Sequence, residues 1–200
     1  MKRINLTSPS NTPNFIGCWM MEPNICSELI NYFENNISKQ KKGVISGGMN
    51  KESKNSIDLS MSPKELLLPE NECFNTYFEK LFEFYKDYAC QWPFLKEFAN
   101  QLHIDRFNIQ RYQINQHFQK VHTERCCMEN IHRLFAWMTY LNDVPPEDGG
   151  STIFTHYGLQ VQPKKGLTMI WPAEWTHAHK GSVLNNNSKY IITGWMHFAS

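Results

Sequence analysis

The segment from His122 to Trp195 carries the clearest strand pattern in the chain. It reads HTERCCMENIHRLFAWMTYLNDVPPEDGGSTIFTHYGLQVQPKKGLTMIWPAEWTHAHKGSVLNNNSKYIITGW. Short runs of β-branched and aromatic residues alternate here with turn residues at fairly even spacing. Many short strands separated by turns are typical of a sandwich or a small barrel. The C-terminal half of the chain is therefore predicted to be built from β-strands.

Turn residues set the limits of the predicted strands. They are Pro145-Pro146 with Gly149-Gly150, then Pro163 with Gly166, and the three asparagines at 185–187. The predicted strands are Phe107–Ile114, Leu134–Leu141, Ser151–Thr155, Leu159–Gln162, Leu167–Trp171, a stretch near His177–His179, and Tyr190–Phe198.

The N-terminal half carries helical patterns. Residues 1–14 read as an extended arm, and a first helix is predicted from Pro23 to about Ser38. Residues 39–58 read as a loop around a short strand near Val44-Ile45, and Ser62-Pro63-Lys64-Glu65 begins a second helical region. A longer helix is predicted from Asn71 to Ala89, and we expect these helices to support one face of a sheet. The helix predicted from Asn71 to Ala89 has an apolar stripe, which predicts core packing. The stripe consists of Phe74, Tyr77, Phe78, Leu81, Phe82 and Tyr85.

Composition favours one globular domain over residues 1–200, with helical support and first strands in 1–105 and the β-core in 106–200. Hydrophobic residues make up 41% and charged residues 20% of the 200 residues. The net charge of +1 argues against nucleic acid as an obligate partner. No apolar run is long enough for a signal peptide or a membrane span, and the six cysteines show no CxxC spacing. We expect reduced thiols and a soluble, cytoplasmic protein.

Two side chains near the start of the stretch have the chemistry of metal ligands. His122 and Glu124 are two residues apart, and side chains at that spacing share one face of an extended chain. A third His from a neighbouring strand would complete two imidazoles and one carboxylate, which suits non-haem Fe(II), although zinc accepts similar donors. Lys189 and Trp195 follow His179 by ten and sixteen residues. A cation on the adjacent strand could hold the far carboxylate of a dicarboxylate that chelates the metal.

From Tyr112 to Phe198 the chain resembles the prolyl 4-hydroxylase-like branch of the 2-oxoglutarate/Fe(II) dioxygenases, in a form similar to small bacterial and phage members. The matching pieces, in order, are Tyr112, His122/Glu124, Arg133, Tyr140-Leu141-Asn142, Gly149-Gly150-Ser151-Thr152-Ile153-Phe154, Pro163-Lys164-Lys165-Gly166, His179, Lys189 and Gly194-Trp195. Their order and spacing together are specific, whereas no single piece is.

The resemblance implies a mainly β, α+β fold, namely a jelly-roll double-stranded β-helix, cupin-like, buttressed by helices on one sheet. It implies that His122 and Glu124 end the second core strand and, with His179 on the seventh, hold Fe(II). Lys189 on the eighth strand would pair with the distal carboxylate of 2-oxoglutarate, and Tyr140 would hydrogen-bond it. Tyr112 and Thr152 would line the same pocket.

The implied activity is hydroxylation of an aliphatic C–H bond in a peptidyl or free amino acid such as proline. The reaction would use O2 and convert 2-oxoglutarate to succinate and CO2, with ascorbate as a possible further cofactor. A small molecule or a peptide would be the substrate, and the loops at residues 39–60 and 124–132 would shape its entrance. The pattern indicates no membrane partner and does not define an oligomeric state.

Two positions depart from the family pattern: Glu124 stands where Asp is usual, and Lys189 where Arg is also common. The Glu124 departure keeps open a weakly active 2-oxoglutarate and metal sensor, and a zinc-dependent hydrolase is a further alternative. His103-Ile104-Asp105 is a rival metal pair, and His177 is a rival to His179. His117, His132, His156 and His197 have no such spacing, although His156 could face substrate; Cys126-Cys127 is expected to serve packing or the surface.

Overall fold

Strands and three α-helices make up the regular structure of the described residues. The structure is a computed structural model that describes residue 4 and residues 14–44, 48, 50–99 and 101–198. The helices are α1 (Pro23–Asn35), α2 (Glu72–Gln91) and α3 (Leu95–Phe98). The strands are β1 (Gly17–Met20), β2 (Gln40–Lys42), β3 (Ile57–Met61), β4 (Leu102–Ile104), β5 (Phe107–Tyr112), β6 (Arg133–Tyr140), β7 (Thr152–Phe154), β8 (Leu159–Val161), β9 (Leu167–Pro172), β10 (His179–Gly181) and β11 (Lys189–Phe198).

The strands form two antiparallel sheets of unequal width. The major sheet has the order β1-β9-β6-β11-β5-β3-β2, with β4 paired to β11. The minor sheet has the order β10-β7-β8. A single bridge between His122 and His179 attaches one more segment of chain to the edge of the minor sheet. This arrangement is the predicted double-stranded β-helix, and the predicted mainly β, α+β class is confirmed.

Alternation along the central strand β6 separates two apolar layers. Phe135 and Trp137 face the helices, whereas Ala136, Met138 and Tyr140 face the minor sheet. Successive side chains of a strand point to opposite faces, so one central strand contributes to both layers. The outer layer fixes the helices on the major sheet, and the inner layer fills the space between the sheets.

The helix layer buries the aromatic stripe of α2 against the major sheet. Leu29 and Phe33 of α1 join it, which confirms the predicted support of one sheet by helices. The prediction is wrong at one position of the stripe, because Phe84 is buried and Phe82 is not. In a helix with 3.6 residues per turn, the buried face passes from Leu81 to Phe84.

Several predicted element bounds differ from the structure. The short strand expected near Val44-Ile45 is instead β2, and Ile45 lies outside the described residues, as does most of the predicted N-terminal arm. The sequence of β2, Gln-Lys-Lys, has no apolar pattern, because β2 is an exposed edge strand. The first helix ends at Asn35, and the helical region after Ser62 consists of two 3-10 segments, Pro63–Leu67 and Pro69–Asn71. In the stretch near His177, a 3-10 turn precedes β10.

No helix among the described residues has both the length and the apolar character that crossing a membrane requires.

The helix layer should carry much of the stability of the fold. Leu81 is 0% exposed and Leu67 is 87% exposed, so the same truncation can be compared inside and outside the core. We expect Leu81→Ala to lower the free energy of unfolding by about 2–5 kcal/mol and Leu67→Ala to change it by less than about 0.5 kcal/mol. Urea unfolding followed by circular dichroism measures both, and equal effects would contradict the packing described here.

Candidate active site

Three side chains converge at the open end of the two sheets. The Nε2 atoms of His122 and His179 lie 3.6 Å and 3.4 Å from Oε1 of Glu124. Each of the three residues offers one ligand atom, and these atoms all lie within 4.8 Å of one another. Among the described residues, no other group of three or more His, Cys, Asp or Glu side chains meets that condition.

The backbone brings the two histidines together. His122 and His179 form a bridge in which each amide N–H donates to the other residue's carbonyl at 3.0 Å. Residues paired in this way project their side chains on the same face, and the ring centroids lie 4.4 Å apart. The short strand β10 begins at His179, so its pairing with β7 fixes the position of the bridge.

Hydrogen bonds at the far ring nitrogens fix how the imidazoles point. Nδ1 of His122 lies 2.9 Å from the carbonyl of Lys120, and Nδ1 of His179 lies 2.9 Å from the carbonyl of His177. A carbonyl can only accept, so each Nδ1 carries the proton and donates it. Each Nε2 is thereby left with a lone pair for a metal when the ring is neutral.

Glu124 is oriented by the side chain of Trp195. The indole Nε1–H of Trp195 donates to Oε2 of Glu124 at 2.8 Å, which leaves Oε1 facing the two histidines. The guanidinium of Arg133 lies 3.6 Å from the centre of the Trp195 ring and donates to the backbone carbonyl of Glu124. Burial by itself raises the pKa of a carboxyl group, but hydrogen bonds and positive charge from the imidazoles of His122 and His179 in their protonated form hold the pKa of Glu124 well below its usual range.

The spacing of the three donors suits one divalent transition metal. Ligand atoms about 2.1 Å from a common ion lie about 3.0 Å apart at an octahedral angle and about 3.4 Å apart at a tetrahedral one. The separations of 3.4 and 3.6 Å between the nitrogens and Oε1 are close to the tetrahedral value and longer than the octahedral one. Two imidazoles and one carboxylate with further positions open are the donor set of non-haem Fe(II).

Aromatic rings surround the histidines. Phe118 stacks on His122 with ring centroids 3.8 Å apart, and Trp171 and Phe154 lie 5.3 and 5.5 Å from the ring of His179. These rings restrict the rotation of both imidazoles and keep their surroundings apolar. The sequence did not predict a role for Phe118. The only sequence signal is its position four residues before His122.

A buried cation lies in the same cavity. Lys189 is the first residue of β11, and its Nζ donates to the carbonyl of Gly150 at 2.8 Å. An ammonium has three N–H donors, so others are available for a carboxylate. Burial lowers the pKa of Lys189 to about 8. Gly150 has φ of 71°, and a Cβ there would lie 3.4 Å from the Lys189 side chain, so a glycine suits this position.

The remaining predicted pocket residues lie near Lys189 in different ways. Thr152 and Tyr112 line the cavity, and the Tyr112 ring centre is 4.4 Å from Nζ of Lys189. Tyr140 is fully buried and donates to Oγ1 of Thr152 at 2.6 Å, so its hydroxyl contacts the cavity through Thr152. Their contacts with 2-oxoglutarate stay predictions.

A buried polar network supports Tyr112, and sequence reasoning missed it. Tyr112 donates to Oε1 of Gln110 at 2.7 Å, and Nε2 of Gln110 lies 3.5 Å from Oδ2 of Asp58. Asp58 pairs with Lys54 at 2.6 Å and accepts from Ser56 at 2.7 Å. The only sequence signal is that Lys54, Ser56 and Asp58 stand at alternate positions before and at the start of β3. Alternating polar residues are common in exposed strands, so this pattern does not indicate a buried network.

The rival histidines lie outside the cluster. Nε2 of His177 is 2.7 Å from the carbonyl of Asn14, so its side chain points toward the N-terminal segment. His103 lies on β4 with its ring 6.3 Å from that of His197, and His156 packs against Trp175. His117 and His132 are likewise not members of the cluster.

The predicted entrance loops do line the cavity. Lys54 from the first loop and Cys126, Cys127 and Glu129 from the second are among its lining residues. The backbone N–H groups of both cysteines donate to Oδ1 of Asn130, which shapes this turn. The cavity has a volume of about 1060 Å³ and extends from the histidines to β2.

A jelly-roll core with two imidazoles, one carboxylate and a buried cation defines a class of iron- and dicarboxylate-dependent oxygenases. Residues 107–197 match the 2OG-Fe(II) oxygenase superfamily. The predicted resemblance to the 2OG-Fe(II) oxygenases is thereby confirmed for this part of the chain.

Solved structures of prolyl hydroxylases share the fold. The viral collagen prolyl hydroxylase of Paramecium Bursaria Chlorella virus-1, in its 2OG complex, has a TM-score of 0.68 at 19% identity, covering 92% of this chain and 97% of that one. A Pseudomonas putida prolyl-4-hydroxylase has a TM-score of 0.70 at 14% identity, covering 94% of each chain. A Trichoplax adhaerens prolyl hydroxylase, in complex with a hypoxia inducible factor oxygen degradation domain peptide fragment, has a TM-score of 0.73 at 10% identity, covering 92% and 84%.

Among curated proteins, human prolyl 4-hydroxylase subunit alpha-1 is 28% identical over 72 residues. That alignment covers 32% of this chain and 13% of the human protein. The chain thus spans a small part of the curated relatives it matches.

The geometry predicts that His179 and not His177 binds the metal. Loss of a residue that only hydrogen-bonds a metal ligand weakens metal binding by about 10–100-fold. We expect His179→Ala, which removes a ligand itself, to weaken Co(II) binding by more than that. His177→Ala should leave the affinity within about threefold of wild type, because the backbone carbonyl that anchors His179 is kept. Co(II) absorption titrations measure both, and the reverse order would contradict the assignment.

The depressed pKa of Lys189 predicts a pH limit for 2-oxoglutarate binding. Above about pH 8 the free protein loses the Lys189 proton, and a neutral amine does not pair with a carboxylate. The dissociation constant should then rise up to about tenfold per pH unit. Lys189→Arg is the control, since its guanidinium stays charged throughout this range. Calorimetric titrations of metal-loaded protein under argon test this, and affinity that stays constant to about pH 10 would contradict it.

Proposed function

We propose that this enzyme hydroxylates an aliphatic C–H bond of a peptidyl residue such as proline, using Fe(II), 2-oxoglutarate and O2. The observation that carries the proposal is the convergence of His122, Glu124, His179 and buried Lys189 on one cavity. Three of these residues supply the donor set for iron, and the fourth supplies the charge that a dicarboxylate needs.

In this proposal each side chain has one task. His122 and His179 bind iron through Nε2, and Glu124 binds it through Oε1. Lys189 pairs with the far carboxylate of 2-oxoglutarate. Thr152 and Tyr112 flank that carboxylate, with Tyr140 holding the hydroxyl of Thr152. Bound iron supplies the activation of O2, whereas the protein supplies position and exclusion of water.

The proposed reaction balances without a further reductant. One oxygen atom of O2 enters the substrate C–H bond, and the other enters succinate as 2-oxoglutarate loses CO2. Decarboxylation provides two of the four electrons that O2 accepts, and the C–H bond provides the other two. Ascorbate would serve only to restore iron oxidised in turnovers that leave the substrate unchanged, and this role is also a proposal.

Two features support a peptide substrate over a free amino acid. The cavity of about 1060 Å³ reaches the upper end of the range found for small-molecule pockets, so it has room beyond the co-substrate. The Trichoplax adhaerens enzyme of the same fold was solved with a peptide fragment. A cytoplasmic location and a single-domain organisation belong to the same proposal.

The longer side chain of Glu124 is compatible with turnover in this proposal. Its extra methylene moves the carboxylate outward, and the hydrogen bond from Trp195 fixes one oxygen while the other faces both histidines. A zinc hydrolase on the same ligands would leave buried Lys189 without a role. Neither that reaction nor a sensor without turnover is favoured by the relatives of this chain.

Anaerobic titration with Fe(II) and 2-oxoglutarate tests the proposal directly. We expect a visible metal-to-ligand charge-transfer band that bleaches when O2 is admitted, together with succinate. His122→Ala and Glu124→Ala should each abolish both signals, because each removes one of only three protein ligands.

Glu129→Ala is the matched control, since Glu129 is an exposed carboxylate that lines the cavity outside the metal cluster. Normal succinate formation by both ligand variants would overturn the proposal. Binding of 2-oxoglutarate without succinate, with any candidate peptide, would favour a sensor.

A further inference from the structure

The major sheet is much wider than the minor sheet, and this leaves part of its inner face uncovered. The inner apolar layer takes its major-sheet side chains chiefly from β1, β6 and β9, opposite the three strands of the minor sheet. Strands β5, β3 and β2 lie beyond it, on the other side of β11. Their inner face therefore forms the floor of the cavity rather than core.

The floor is polar at every position that the cavity contacts on β3 and β5. Strand pairing places Ser60 opposite Asn108 and Asn108 opposite Thr193, all three on the cavity face. Ser60 donates to Oδ1 of Asn108, and within the described part of the chain no acceptor takes the amide hydrogens of Asn108. Those hydrogens are available to a peptide carbonyl of a bound substrate.

Positive charge is concentrated around this floor. Nine lysines and arginines but only four aspartates and glutamates line the cavity, whereas the whole chain has 20 and 19. Some of these charges already have partners, since Asp58 pairs with Lys54 and Glu124 faces the histidines. The lining cations that make no ion pair, side-chain hydrogen bond or ring contact with any described residue are Lys41, Lys42, Arg106, Lys120 and Lys180.

Three of these lysines line the cavity on different sides, one on the edge strand of the floor and two next to His122 and His179. Lys41, on the edge strand β2, is paired with Asp58 on β3. The side chain of Lys41 therefore projects on the same face as Asp58, which lines the cavity. Lys120 precedes His122 by two residues, and Lys180 directly follows His179. A substrate that crosses the floor toward the metal would pass between Lys41 on one side and Lys120 and Lys180 on the other.

We propose that the substrate is an acidic polypeptide segment, with Asp or Glu side chains on both sides of the hydroxylated residue. This inference rests on the proposed hydroxylase function and adds the charge of its substrate. Lys41, Lys120 and Lys180 bind those carboxylates, and Asn108 binds the backbone between them. Lysines act as point charges and not as rigid forks, so they select charge along a segment more than one fixed geometry.

The aromatic residues of the cavity argue for a peptide over a single-stranded nucleic acid. Bases bind such proteins by stacking on available aromatic faces. The four described Phe, Tyr and Trp residues that line the cavity already have ring or cation partners: Phe118 with His122, Trp171 with His179, Trp195 with Arg133 and Tyr112 with Lys189.

Three labelled peptides test the inference: a central proline flanked on each side by two glutamates, two glutamines or two lysines. Fluorescence anisotropy with Fe(II)-loaded protein, saturated with 2-oxoglutarate under argon, gives the affinities. We expect the glutamate peptide to bind at least about tenfold more tightly than the glutamine peptide at low salt. The preference should shrink when the ionic strength reaches about 0.5 M, because exposed charges are screened.

A matched pair of triple variants locates the charge. K41Q/K120Q/K180Q should lose most of the preference for glutamate, whereas K64Q/K86Q/K96Q, which changes the net charge equally at exposed lysines outside the cavity, should retain it. Circular dichroism confirms that both variants fold, and the salt series on wild type tests the same point without any variant. Equal binding of the glutamate and glutamine peptides to wild type would overturn the inference.

Two competitors separate other sources of negative charge. If free glutamate displaces the labelled peptide as well as the unlabelled peptide does, the substrate is a small acid and the inference is wrong. If oligo(dT) of equal charge binds more tightly, the cavity takes nucleic acid and the inference is also wrong. Failure of the hydroxylase function itself would appear separately, as absence of the anaerobic charge-transfer band in wild type.

Discussion

The two backbone hydrogen bonds between His122 and His179 are the constraint on which the site depends. They join a segment with little regular pairing of its own to the edge of the minor sheet, and they place both imidazoles on one face. A shift of one residue in such a pairing would turn the side chains to the opposite face. The rest of the minor sheet, with β10 held against β7, keeps this pairing in register. The candidate metal donors are therefore held in place by the pairing of the sheet itself.

Stability and function are divided between the two halves of the major sheet. The apolar half, β1, β9 and β6, is covered on both faces, by the helices and by the minor sheet. In the polar half, the helices cover β5 and β3 but not the exposed edge strand β2, and the opposite face presents hydroxyl, amide and charged side chains to the cavity. Strand β11 lies between the halves and contributes to both. The apolar half thus supports a half whose polar side chains face the cavity.

Buried charge in this protein is held in partnered form. Lys54 and Asp58 form an ion pair that continues through Gln110 to Tyr112, and Lys189 has one carbonyl partner and a lowered pKa. An ammonium with few partners in an apolar place gains much from an incoming carboxylate, because the cost of its desolvation has already been met in folding. Trp195 does the same for Glu124 by holding one oxygen in place. Burial thereby prepares these groups for their ligands.

The sequence alone predicts the β-rich class, the helical support and a candidate metal site of His122, Glu124 and a third histidine, because strand period, aromatic spacing and the intervals between these residues are local or linear features. It did not determine β2, whose lysines lack an apolar pattern, or the choice of Phe84 over Phe82. Only the tertiary structure separated His177 from His179, since they are two residues apart and differ in which backbone each faces. It alone also revealed how the Lys54–Asp58 pair meets Gln110 and Tyr112 and how the lysines surround the floor, because Asp58 and Gln110 are 52 residues apart and no periodicity encodes such contacts.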